Sequence, residues 1–251
     1  MFNPDFSNAI KVIDRSEGKS GTVFEVIEYT KPRAGEQLRQ VRIYIKEGSI
    51  IMQSGALQFM KGQITMDATV SVATALKGFF TSKGSGESLV TPKYTGKNGE
   101  IYLEPTNNYY YVLELQNDEI ILDDGLFYCC EDSIALSVHT NTNVLAGLFS
   151  GDGFRQPKIT GTGVAVLESN VPFEEILIYQ LNNETLKVDG NFAMVVRGNI
   201  QTKIEKSSKS IIGSARSGEG ILQTYTGTGE VWLAPAKNYK PLDTLLLTRS
   251  I

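Results

Sequence analysis

Histidine is all but missing from this sequence, with His139 the single one. Nucleophilic catalysis by a Ser–His–Asp or Cys–His set needs an imidazole base held between a nucleophile and an orienting carboxylate. His139 follows Leu136-Ser137-Val138 in an expected strand, and no G-x-S-x-G elbow occurs, so it reads as a surface or half-buried strand residue. Cysteine is nearly as scarce. Cys129 and Cys130 are adjacent, and neighbouring strand residues point to opposite faces, so a disulfide between them would be strained. One histidine and two adjacent cysteines also make poor tetrahedral zinc ligands. No run of 18 apolar residues is present to span a membrane. Residues 1–5 carry no secretory apolar run, and the expectation is a soluble chain of a reducing, cytoplasmic compartment.

Positive charge is short as well, with 24 Lys and Arg against 28 Asp and Glu and a net charge of −4. Phosphate contacts by basic side chains carry most non-specific affinity for nucleic acid, so nucleic acid is disfavoured and an anionic membrane surface is a weak partner. No glycine-rich segment fits G-x-x-x-x-G-K-[ST], and Gly218-Glu219-Gly220-Ile221-Leu222-Gln223 fails G-x-G-x-x-G. Calcium loops are absent. The carboxylate pairs Asp123-Asp124, Glu131-Asp132 and Glu174-Glu175 are sequential, which suits turn and strand-end charge better than acid–base work. Tyr109, Tyr110 and Tyr111 have no basic residues interleaved, so they read as packing residues rather than base-stacking ones. No catalytic residue, cofactor or metal is expected.

What the chain does contain is one pattern three times. Ser217-Gly218-Glu219-Gly220 followed by Thr226-Gly227-Thr228-Gly229-Glu230-Val231-Trp232-Leu233 is its clearest copy. Ser150-Gly151-Asp152-Gly153 with Thr160-Gly161-Thr162-Gly163 is the second. Ser85-Gly86-Glu87-Ser88 with Thr95-Gly96-Lys97-Asn98-Gly99 is a worn first. Two further landmarks keep the same register, namely Gly62-Gln63-Ile64, Asp132-Ser133-Ile134 and Gly198-Asn199-Ile200, and the pairs Ser54-Gly55, Asp124-Gly125 and Asp189-Gly190. Frequent turn signals and β-branched runs predict strands throughout, except for a short helix over residues 9–13 behind the caps Asp5, Ser7 and Asn8. Gly96, Gly161, Gly163, Gly227 and Gly229 are read as structural turns, with Gly227-Thr228-Gly229 closing a hairpin and Gly161 and Gly227 at positive φ. Trp232, between Val231 and Leu233, is expected to be buried.

The reading is a single all-β domain over 1–251, with N-terminal strands at about 22–46. Three internal repeats follow at about 48–105, 119–168 and 184–235, burying one another's apolar faces. Before each Ser-Gly pair lies an apolar cluster around a glycine, carrying Leu76, Phe79 and Phe80, then Leu145, Leu148 and Phe149, then Ile211 and Ile212. Such side chains are either tucked under a sheet or exposed for contact. The reading taken is an intermolecular surface.

The thrice-repeated Ser-Gly-Glu/Asp-Gly, apolar strand and Thr-Gly-x-Gly resemble the altered-inheritance-of-mitochondria protein family over about residues 48–241, most closely at 217–235. The Leu-Ala-Gly-Leu-Phe stretch at 145–149 is similar to a loop of that family. The resemblance implies an all-β, jelly-roll-like fold, a β-sandwich or barrel similar to that of the tryptophan RNA-binding attenuation protein, used three times in one chain, beside the pseudo-threefold symmetry that the repeats themselves predict. It offers no catalytic residues to carry over. The expected function is a non-enzymatic β scaffold or interaction module that self-associates or binds a protein. The rival readings are a nucleic-acid-binding regulator by fold analogy and a binder of a small ligand in clefts between repeats, at amides near Thr160, Gly161, Thr226 and Gly227.

Overall fold

The computed structural model describes residues 9–31, 37–67, 91–141, 154–189, 192–206 and 221–236. Among these residues there is no α-helix. The strands are β1 (Ile10–Glu17), β2 (Val23–Tyr29), β3 (Arg39–Met52), β4 (Leu57–Asp67), β5 (Lys93–Leu103) and β6 (Tyr109–Leu122). They continue with β7 (Phe127–Glu131), β8 (Ile134–Asn141), β9 (Phe154–Ser169), β10 (Leu177–Asp189), β11 (Ala193–Lys206) and β12 (Ile221–Leu233). A 3-10 turn at Phe173–Glu175 leads into β10. The helix expected over residues 9–13 is instead the start of β1, which pairs antiparallel with β2 from Ile10↔Tyr29 to Glu17↔Val23. A helix that short gains too few hydrogen bonds to cover its nucleation cost, whereas as a strand it satisfies the open backbone of β2.

One strand order occurs in three consecutive stretches. β5 lies between β3 and β4, β9 between β6 and β7–β8, and β12 between β10 and β11, always antiparallel. Chain length requires these sheets to fold over their own middles. Met52 N donates to Pro92 O (3.3 Å) and Glu104 N to Ala56 O (2.7 Å). Residues 52 and 56 are at most about 14 Å apart, while a straight strand from 92 to 104 would span about 40 Å. β12 has the same problem, since Asp189 pairs with Leu222 and Phe192 O accepts from Ala234 N (2.8 Å).

The corners are cut where the glycine motif sits. Gly161 and Gly163 lie inside β9, Gly227 and Gly229 inside β12, and Gly96 inside β5, so none of them closes a hairpin. The hairpins β4–β5, β8–β9 and β11–β12 are described up to the pairs Asp67↔Lys93, Asn141↔Phe154 and Lys206↔Ile221, which flank segments 68–92, 142–153 and 207–220 in sequence. Gly161 and Gly227 do have positive φ, at 135° and 143°. A Cβ on Gly227 would stand 2.2 Å from Asn199 O, so the motif lets two backbones cross closely at a bend, a role strand glycines serve. The threonine between the glycines braces the neighbouring strand. Thr162 Oγ1 accepts from Asn117 N (2.9 Å) and Thr228 Oγ1 from Asn183 N (3.1 Å). Each asparagine is the extra residue of a bulge, with φ of 59° and 56°, and asparagine tolerates that left-handed conformation better than other side chains.

Three apolar cores follow, one per folded sheet. Short seams join them. The end of β3 pairs with β7 (Ile50↔Glu131, Ile51↔Cys130, Met52↔Cys129), and the end of β6 pairs with β11 (Ile120↔Arg197, Ile121↔Val196, Leu122↔Val195). The full order is β1-β2-β3-β7-β9-β6-β11-β12-β10, with β4 attached through β5 and β8 through β9. Among the described residues the sheet is therefore not closed into a barrel, with β10 pairing only with β12 and β4 only with β5.

Candidate functional site

The eight apolar residues proposed as a contact surface, Leu76, Phe79, Phe80, Leu145, Leu148, Phe149, Ile211 and Ile212, all lie outside the described residues. The strand ends carrying their segments are described. Those of the second and third come together, since Asn141 Nδ2 donates to Thr202 O (2.8 Å) and the His139 Nε2 lies 3.1 Å from Thr202 Oγ1. His139 is thus a half-buried strand residue of β8. Burial, then the nearby Lys158, pushes its pKa down, so its ring is held neutral.

Most of the exposed large apolar groups of the described chain lie on or just before two of its edge strands, β4 and β10, the others being Val12 and Ile13 on the edge strand β1 and Tyr44 on β3. β4 shows Phe59, Met60 and Met66 to solvent, and Phe59 is 48% exposed although its ring stacks on Tyr102 at 4.4 Å. β10 shows Leu177, Ile178 and Tyr179, with Phe173 just before them. The residues standing at the same register on the other middle strands are covered. Pairing with the central strand aligns Phe59 (↔Tyr102) with Cys129 (↔Val166) and Val195 (↔Trp232), and both of these are buried. An open strand edge with apolar side chains is a template for another strand, which soluble proteins usually blunt.

A second feature is a cleft of about 520 Å³ between the β1–β2 turn (residues 17–19) and the middles of β6 (114–116) and β9 (162–164). Its polar groups are engaged by the fold. Glu114 Oε1 accepts from Ser16 Oγ (2.6 Å), and the Glu114 carbonyl accepts from Arg197 Nη2 (3.0 Å). Behind it the buried Glu131 accepts from Val164 N (2.9 Å) and Ser20 Oγ (2.9 Å), pinning the N-terminal hairpin to β9. The space is tight, because a Cβ on Gly163 would lie 2.7 Å from Glu131 Oε2. Burial raises the pKa of Cys129 and Cys130, and of the Tyr110, Tyr128 and Tyr225 hydroxyls. These groups are held in their neutral forms, the opposite of what an activated nucleophile requires.

A model of the mitochondrial biogenesis AIM24 family matches residues 33–236. The chain belongs to that family. A relative from Streptococcus pyogenes serotype M6, itself described as uncharacterized, is 24% identical over 193 residues, covering 74% of this chain and 76% of the relative. A crystal structure of another Streptococcus pyogenes protein aligns with a TM-score of 0.59 at 19% identity, covering 92% of this chain and all of that one, a likeness of fold. Among the described residues of this AIM24 chain, no helix is long and apolar enough to cross a membrane.

Sequence reasoning points to segments 75–80, 144–149 and 210–215 for the apolar surface and does not single out the edges of β4 and β10. Phe59-Met60 differs from Cys129-Cys130 and Val195-Val196 mainly in size, and exposure depends on whether a neighbouring strand arrives. The available signal was in β10, where Lys187 stands in the register of Ile51 and Ile121, a polar residue where two copies are apolar.

Proposed function

We propose that this chain is a non-enzymatic, cytoplasmic β scaffold whose work is protein interaction. In this reading it is a single domain of three copies of one folded-over unit, jelly-roll-like, with unit starts shifted from the sequence estimate to β3, β6 and β10, and with the ring that a pseudo-threefold axis would close left open between β10 and β4 among the described residues. The observation that carries the reading is that two of the edge strands, β4 and β10, are unpaired on one side among the described residues and show Phe59, Met60, Leu177, Ile178 and Tyr179 to solvent, since exposed apolar edges serve strand addition. The neutral, buried thiols and hydroxyls support it from the side of chemistry. In dilute solution the chain should bind an apolar dye, and Leu177→Asp with Tyr179→Asp should remove much of the signal without lowering Tm. A chain that binds no dye at any concentration would overturn the reading.

The cleft beside Glu114 favours a small ligand as the second reading. A thermal-shift screen decides between the two. A compound at 100-fold its Kd stabilises by about 2.7 kcal/mol, and a hit abolished by Glu114→Ala would move the function to the cleft. The nucleic-acid reading requires binding that weakens steeply with salt, and the net charge of −4 argues against it.

A further inference from the structure

We infer that the free edge of β10 is completed by β4 of a second copy of this chain, in the register Leu186↔Lys61, Lys187↔Met60 and Val188↔Phe59. This rests on the interaction reading above and gives it a partner. The chain contains the template twice. At the β3–β7 seam Ile50, Ile51 and Met52 face Glu131, Cys130 and Cys129, and at the β6–β11 seam Ile120, Ile121 and Leu122 face Arg197, Val196 and Val195. The pairs Ile50↔Tyr94, Ile120↔Ile159 and Leu186↔Tyr225, each next to a Thr-Gly, place Leu186 where Ile50 and Ile120 stand. The pairs Phe59↔Tyr102, Cys129↔Val166 and Val195↔Trp232 likewise align Phe59 with Cys129 and Val195. Of three first strands and three middle strands, β10 and β4 are the two whose seam is unmade.

The cores indicate what that seam would bury. Cys129, from the second folded sheet, packs in the first core, and Val195, from the third, packs in the second. By the same step Phe59, from the first, belongs in the third. Among the described residues that third core holds 8 buried members against 18 and 16 in the others, so the smallest core lacks the side chain that β4 leaves 48% exposed. Lys187 is the one departure from the apolar template, and its stem can lie along Met60 while the ammonium stays in water with Glu205, 3.0 Å away. β4 and β10 are not paired within the described chain, and a strand edge supplied by a second copy satisfies both.

The test mixes two variants that each add one cysteine, Met60→Cys and Lys187→Cys. Directly opposed strand residues stand about 4.5–5.5 Å apart at Cβ, within a small adjustment of disulfide reach, and the native Cys129 and Cys130 are buried. The mixture is expected to give a disulfide-linked pair on mild oxidation, with neither variant doing so alone. Sedimentation should show a self-associated wild type whose dissociation constant rises about 100-fold in Phe59→Asp, and apolar-dye binding should fall as chain concentration rises. A wild type that stays monomeric at micromolar concentration but binds dye throughout overturns the second copy and leaves the interaction reading standing. A doubly substituted chain that cross-links only within itself, with no dye bound at any concentration, overturns both.

Discussion

Gly227 shows how much one residue carries when a strand turns a corner. Its φ of 143° is open only to glycine, and its Cα faces Asn199 O so closely that a methyl group has no place. Gly227→Val combines backbone strain with a clash against backbone that cannot yield, and should cost on the order of 3 kcal/mol or more. Gly96 provides the contrast. It has no positive φ, and an added Cβ would meet only side-chain atoms, Ile64 Cγ1 at 3.2 Å and Ile45 Cβ at 3.4 Å, that need to yield by a few tenths of an ångström, so Gly96→Ala should cost on the order of 1 kcal/mol, well below Gly227→Val. Chemical denaturation of the two variants checks the pair, and equal losses would remove the corner account. Trp232 is a second residue whose role was legible. It is buried against Tyr111 and Phe173 with its Nε1 donating to Glu230 Oε2 (3.0 Å). Its fluorescence should resist iodide, and Trp232→Ala should cost about 3–5 kcal/mol.

At the scale of the strand, the bends and the seams have different fastenings. The bends are held by hydrogen bonds to bulged asparagines, so Thr228→Val, which leaves the exposed Asn183 N to water, should cost about 0.5–1.5 kcal/mol by denaturation. The β6–β11 seam is held by Arg197, which pairs with Asp118 and with the Glu114 carbonyl. Burial works to raise the Asp118 pKa, but the hydrogen bond from Arg197, the hydrogen bond from the Gln116 amide and the Arg197 charge together outweigh it, and the folded value lies below the ordinary one. A depressed carboxylate contributes stability that is present above its unfolded pKa of about 3.9 and lost as pH falls through the folded value. Arg197→Met should therefore cost about 1 kcal/mol at pH 7. Urea titrations should show the gap narrowing below about pH 4, down to the part owed to the Glu114 carbonyl. How far the sequence could lead is clearest here. The period of the Thr-Gly motif located the middle of β9 and β12, and β-branched runs located the strands. But a glycine that bends a strand and one that ends it carry the same letter. Only the shortness of 53–56 against the length of β5, which requires knowing that the two strands pair, tells them apart. Segment 9–13 was misread for a related reason, since the edge of β2 that it covers is supplied by tertiary structure.

For the molecule as a whole, unequal cores imply unequal resistance to opening. The amides of β10, at one end of the sheet order and over the smallest core, should exchange with deuterium well before those of β3 and β5. Uniform protection across the three folded sheets would contradict this. A finer reading of the same cooperativity is built into β7. Cys129 and Cys130 are consecutive, fully buried and free, yet the first packs in one core and the second in the next. Each thiol becomes accessible to an alkylating reagent only when its own core opens, so two chains that each keep one of the two cysteines form a pair of independent clocks one residue apart. If their modification rates coincide, the cores breathe together as one cooperative body. If the rates separate, their ratio measures directly how weakly motion on one side of a single strand is communicated to the other.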